Sequence, residues 1–136
     1  MKLKRILFIV VTFSVILSAC TSPKLADSYD ENAVIDRAKD VVKMINSQNF
    51  DAVNAELRED LQDQLTSTQL KDAIGQKMID AGAFVDFQTI STLGQKSKST
   101  GEDYATVVLV AEYESNPVVF TISMDSNLDI VGLYVK

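Results

Sequence analysis

The sequence predicts an α+β domain, and three observations carry that prediction. Up to Gly82, apolar residues recur at three- and four-residue steps. From Ala83 onward the period becomes two, in segments rich in Val, Ile, Thr, Phe and Tyr. Helix-start and turn residues fall between these segments. Three helices followed by a four-stranded antiparallel meander would pack the helices on one face of the sheet. With 136 residues, the chain has room for one such domain.

The first helix is expected over about residues 30–47. Ser28 and Glu31 fit an S-x-x-E capping box, and Val34, Ala38, Val41, Val42 and Ile45 form one apolar stripe. Asp36, Arg37, Lys39, Asp40 and Lys43 fall mostly on the solvated side. The stretch "NSQNFDAV" breaks the helix, with Asn49 expected in left-handed backbone. Phe50, Val53, Leu57 and Leu61 continue at helical spacing, which predicts a second helix around 51–58. Thr66 and Gln69 form a T-x-x-Q box that opens the third. Leu70, Ala73, Ile74, Lys77 and Met78 set its stripe and Gly82 stops it. Gly75 lies inside and weakens that helix by up to about 1 kcal/mol relative to Ala, or permits close packing.

The strands are "AFVDFQTISTL", "DYATVVLVAEYE", "PVVFTISMD" and "LDIVGLYV", with "GQKSKSTGE" as a polar loop and "SNP" and "DSN" as turns. In the second strand Ala105, Val107, Leu109 and Ala111 lie on one face and Val108 and Val110 on the other. In the last, Val131, Leu133 and Val135 lie opposite Ile130 and Tyr134. One face must meet the helices. The other is a homodimer interface, a lined cavity or a hydrophobic surface.

The N-terminal segment has a different character. Lys2, Lys4 and Arg5 precede the apolar run Ile6 to Leu17, in which Thr12 and Ser14 are the two hydroxyl residues, and Ser18 and Ala19 are small. That order is a secretory signal peptide. The run is shorter than the roughly 20 residues that span a bilayer. "LSAC" resembles the lipobox of bacterial lipoproteins: Leu17, Ser18 and Ala19 as the signal-peptidase recognition residues, then Cys20, the one cysteine in the chain. The resemblance implies cleavage before Cys20 and a diacylglyceryl group on its sulfur, with acyl chains such as palmitate. The mature protein would then be anchored at the extracytoplasmic face of the cell membrane. The expected division is 1–19 signal peptide, 20–29 lipidated Cys and short tether, and 30–136 the domain. "TSPKLADS" reads as flexible chain spanning roughly 15 Å.

Composition excludes several functions. Removing the signal leaves 10 Lys and Arg against 19 Asp and Glu, a net charge of about −9. An acidic surface repels phosphate backbones, so no nucleic-acid partner is expected. With no His and one Cys, no metal site or other cofactor is expected, and no His is present to activate the thiol. Gly94, Gly101 and Gly132 are isolated, so no phosphate-cradling loop is formed.

The order of elements, with the "F-x-x-V … L-T-x-x-Q-L" spacing and the ending "D-x-N-L-x-I-x-G-L", resembles the DUF3887 family over about residues 30–136. The resemblance implies an NTF2-like (cystatin-like) cone with a curved sheet wrapping the helices, and supplies no established activity. Where relatives often carry Gly, Asn49 and Asn127 stand here, both able to take left-handed backbone. If the cone has a mouth, its lining would be Phe84, Phe87, Tyr104, Phe120, Met124 and Tyr134. Enzymes of this fold use buried acids, Tyr or His. Asp86, Tyr104, Glu112, Tyr113 and Tyr134 are the strand residues of that kind, with Asp86 and Glu112 expected in solvent. The leading reading is a lipid-anchored, non-catalytic module that binds an unknown protein or small apolar ligand. The alternatives are an NTF2-like enzyme acting on a small apolar substrate and the precursor of a signal-peptide-derived pheromone.

Overall fold

A computed structural model describes residues 23–136. The expected signal peptide and the Leu17–Cys20 motif lie outside the described residues. The order is α1 (Glu31–Asn46), α2 (Phe50–Glu56), α3 (Glu59–Gln62), α4 (Ser67–Leu70), a π-helical segment (Lys71–Gly75), α5 (Gln76–Ala81), β1 (Phe84–Lys96), β2 (Asp103–Tyr113), β3 (Val118–Met124) and β4 (Ile130–Val135). The strands pair antiparallel in the order β1-β2-β3-β4. The helices and the alternate residues of β2 and β3 that face them form one hydrophobic core. The α+β class and the meander are as expected. The helical layer is not three simple helices.

The five stripe residues of α1 are fully buried, but the helix is capped by Asp30, whose Oδ1 accepts the Ala33 N–H at 2.9 Å. Asp30 is adjacent to the first helical residue, and its charge suits the helix N-terminus. Ser28 therefore stays in the preceding turn. Glu31, the other half of the expected box, instead accepts the Thr92 hydroxyl at 2.6 Å and ties α1 to β1. At the helix end, Gln48 rather than Asn49 takes the left-handed backbone, with φ +57°. Asn49 is more useful as the N-cap of α2, accepting the Ala52 N–H at 3.2 Å. Leu57 and Arg58 then leave the helix to bridge to Ile130, the Arg58 N–H donating to the Ile130 carbonyl at 2.9 Å. This break separates α2 from α3.

The reciprocal Thr66–Gln69 capping box forms as predicted. The helical path then widens into the π segment, where i→i+5 bonding keeps residues four apart in line. Leu70, Ile74 and Met78 are buried as a result, whereas Ala73 and Lys77, read as part of the stripe, are exposed. Gly75 sits where a Cβ would lie 3.2 Å from Gln48 Oε1, and the Gln48 amide donates to the Gly75 carbonyl at 3.3 Å. The close packing expected of Gly75 is against this loop. Gly82, at φ +84°, ends the helix.

In the sheet, β1 continues through Gly94 to Lys96, shortening the expected loop to 97–102. Between β3 and β4 the register slips: Ser123 faces Gly132 but Met124 faces Ile130, leaving Val131 as the extra residue of a bulge. Ile130 is thereby buried with the core instead of sharing the outer face with Tyr134. The turn before it is organised by Asp125, whose Oδ1 accepts the N–H groups of Asn127 (2.9 Å) and Asp129 (3.1 Å). This ring places Leu128, not Asn127, in left-handed backbone at φ +63°, with its side chain against the core. The outer face presents Leu93, Val108, Val110, Val119 and Thr121 half-covered by one another, and Tyr134 at 64 % exposure.

The described part of the expected tether does not behave as flexible chain. The Gly94 N–H donates to the Pro23 carbonyl at 2.9 Å, and the Tyr29 hydroxyl donates to the Asp103 carbonyl at 2.6 Å. Leu25 and Tyr29 pack against the core. Polar composition concealed two apolar contacts and a backbone bond that depend on distant partners.

Candidate functional site

At the end of the sheet where α5 runs into β1, a groove of about 260 Å³ is lined by Asn46, Gln48, Met78, Ile79, Phe84 and Tyr113, among others. Each is positioned by a feature already described. Asn46 is the last residue of α1, and Gln48 is held in left-handed backbone by the turn that follows. The π segment rotates Met78 into the core and leaves Ile79 outside, and Gly82 reverses the chain into Phe84. Tyr113 ends β2 directly opposite Phe84.

Tyr113 is the polar centre of the groove. Its ring is 4 % exposed and its hydroxyl donates to Asn46 Oδ1 at 2.6 Å. Burial pushes its pKa up to about 12, with the Asn46 contact pulling in the opposite direction. The phenol therefore stays neutral at ordinary pH, where it is a hydrogen-bonding group and a poor base. Phe84 meets the Tyr113 ring edge-to-face at 5.6 Å and the Phe87 ring at 5.0 Å. On this wall Ile79 (63 %) and Phe84 (38 %) are exposed. The residues named here supply a phenol, two amides and apolar surface. Such a set binds an apolar group and orients it by one or two hydrogen bonds.

Two larger hollows are less suited to this. One of about 510 Å³ lies along residues 23–29 beside Glu31 and Thr92, and another of about 490 Å³ lies between Lys77, Asp80 and Lys136. Both are open and rimmed by charge or by backbone. Among the described residues no group of three or more His, Cys, Asp or Glu is placed to hold a metal ion.

The six residues expected to line a cone mouth do not line a common cavity. Phe84 borders the groove and Phe87 packs on it. Phe120 and Met124 are fully buried because alternation along β3 turns them towards the helices. Tyr104 lies at the far end of β2, its hydroxyl donating to Glu102 at 2.8 Å. Tyr134 has the opposite parity and projects from the outer face. Asp86 and Glu112 are exposed cross-strand neighbours. The one deeply buried carboxylate among the described residues, Asp125, is committed to its turn, with Arg58 3.9 Å from its second oxygen. Asn46, Gln48 and Ile79 went unread in the sequence. Ile79 carried a signal, an apolar residue next to Met78 and off the four-residue line.

The Tyr113 environment predicts a pH dependence. An unfolded Tyr titrates near 10 and the folded one near 12, so the unfolded state loses its proton first. Stability from this group is fully present below about pH 10 and is lost as pH rises from 10 to 12. Tyr29, also raised chiefly by burial, acts in the same direction. Urea midpoints measured at pH 8 to 11.5 should fall above pH 10, and Tyr113→Phe should show a shallower fall.

Comparison with known proteins adds the family and the fold. No curated protein matches the chain. An NMR structure of a protein from Ruminococcus gnavus ATCC 29149 superposes with a TM-score of 0.74 at 22 % identity, covering 83 % of this chain and 96 % of that one. At that identity the likeness is one of fold. Residues 38–133 match the DUF3887 family, described as a protein of unknown function, a span from the middle of α1 through most of β4. The chain therefore belongs to the DUF3887 family.

Proposed function

We propose that this protein is a lipoprotein held at the extracytoplasmic face of the cell membrane through Cys20, and that its NTF2-like domain is a non-catalytic binding module. The observation that carries the binding role is the groove between α5, β1 and the end of β2. There, exposed Ile79 and Phe84 flank a buried Tyr113–Asn46 pair. A ligand or partner segment that lays an apolar side chain on Phe84 and Ile79 would cover surface that water now covers, the main source of affinity in such sites. The lipobox-like "LSAC" after a basic and apolar start supports the anchor.

The binding role is tested with an apolar fluorescent probe, anilinonaphthalene sulfonate, titrated against the protein and an Ile79→Ser/Phe84→Ser double variant. Fully burying one such side chain is worth about 1.5–3 kcal/mol. Losing two partial contacts should therefore weaken the probe by roughly tenfold, about 1.4 kcal/mol. The melting temperature should fall only modestly, because Ile79 is largely exposed and Phe84 partly so. Equal affinity for both proteins would remove the groove as the binding site.

A further inference from the structure

Where the domain sits on its membrane follows from the docked segment 23–29, given the anchor at Cys20 proposed above. The segment is held at its start by Gly94, whose N–H donates to the Pro23 carbonyl at 2.9 Å. It is held at its end by Tyr29, whose hydroxyl reaches the Asp103 carbonyl at 2.6 Å. Leu25 lies between them against the core. The fit at Gly94 is close: a Cβ there would stand 2.2 Å from the Lys24 carbonyl oxygen. Only Thr21 and Ser22 separate this docked chain from Cys20. Fully extended, residues 20–22 reach about 10 Å at 3.3–3.6 Å each.

We infer that the strap fixes the domain in one orientation on the lipid headgroups. The 97–102 loop and the Gly94–Lys96 end of β1 face the bilayer, and the Phe84–Tyr113 groove faces away from it. A flexible ten-residue tether would let the domain tumble; about 10 Å of slack does not. Pro23 docks beside Gly94, and β1 runs from there to Phe84 through ten residue steps, about 33 Å at 3.3 Å per residue. The groove is thus held roughly one domain length from the headgroups. Its occupant comes from the extracytoplasmic solution, and a lipid acyl chain does not reach it. The surface pressed to the membrane carries Lys24, Lys96 and Lys98 but also Glu102 and Asp103, with Lys96 paired to Asp103 at 3.2 Å. Tether geometry, and not net charge, sets the contact.

The test uses the full chain, processed in a bacterial host and reconstituted into phosphatidylglycerol–phosphatidylethanolamine vesicles doped with a headgroup nitroxide lipid. Lipidation consumes the Cys20 thiol, so a single introduced cysteine carries the fluorophore, at Ser99→Cys in the loop or Ser115→Cys in the β2–β3 turn. Quenching should be several-fold stronger at 99 than at 115. Inserting twelve Gly/Ser residues between Ser22 and Pro23 leaves the fold untouched and adds roughly 19 Å of slack, so the difference should collapse. Equal quenching at both sites in the lipidated native-length protein overturns the orientation alone, as does a difference that survives the insertion. Protein whose Cys20 carries no lipid by mass overturns the anchor, and the orientation with it.

Discussion

Truncating Phe120 to alanine should lower stability by about 3–5 kcal/mol, most of what a small domain possesses. The residue is fully buried at the middle of the sheet, opposite Leu109 and Val135, and its ring stands 6.5 Å from Tyr113. Removing it deletes a large apolar side chain and leaves a void that α1 cannot close, because Val34, Ala38, Val41, Val42 and Ile45 are already packed against the sheet. Phe84→Ala should cost far less, since Phe84 is 38 % exposed. Urea unfolding of the two variants reads this directly. A loss below 1 kcal/mol for Phe120→Ala would mean that the ring lines a space already present, the role its position in the sequence suggested.

Replacing Gly94 by valine should have the second-largest effect. Its Cβ would meet the Lys24 carbonyl oxygen at 2.2 Å, a backbone atom that cannot rotate away. Overpacking of this kind costs about 1–3 kcal/mol. The chain has one inexpensive response, release of residues 23–29, which forfeits the Pro23 and Tyr29 bonds and the burial of Leu25. Stability should fall by about 2 kcal/mol, with the meander intact. Released chain should also become a substrate for trypsin at Lys24 well before the rest of the domain. Tryptic cleavage at Lys24 no faster in Gly94→Val than in the native protein would contradict the docked strap.

These two residues also mark what the sequence made legible. Local signals transferred well: the Thr66–Gln69 box, the α1 stripe, Gly82 as a stop and the strand periodicity all depend on residues a few positions apart. Errors arose where two local solutions competed. Asp30 displaced Ser28 as a cap, and Asn49 served α2 while Gln48 took the left-handed position. A bulge at Val131 broke the alternation that put Ile130 on the same face as Tyr134. The strap was illegible because it depends on a missing side chain 65 to 71 positions from the segment it admits. The site was half legible. Tyr113 and Phe84 stood out as strand aromatics, but the amides of Asn46, at the end of α1, and Gln48, in the turn after it, reach the groove only through tertiary packing.

The central claim is that this DUF3887 domain works from a lipid anchor at Cys20. The most direct measurement is the intact mass of the full-length gene product extracted from bacterial membranes, followed by sequencing of its N-terminal peptide. The account predicts a chain that begins at Cys20 and carries diacylglyceryl on sulfur, with Cys20→Ala found outside the membrane fraction. A peptide that still contains Leu17–Ala19 joined to an unmodified Cys20, or a Cys20→Ala protein retained at the membrane as before, would contradict it.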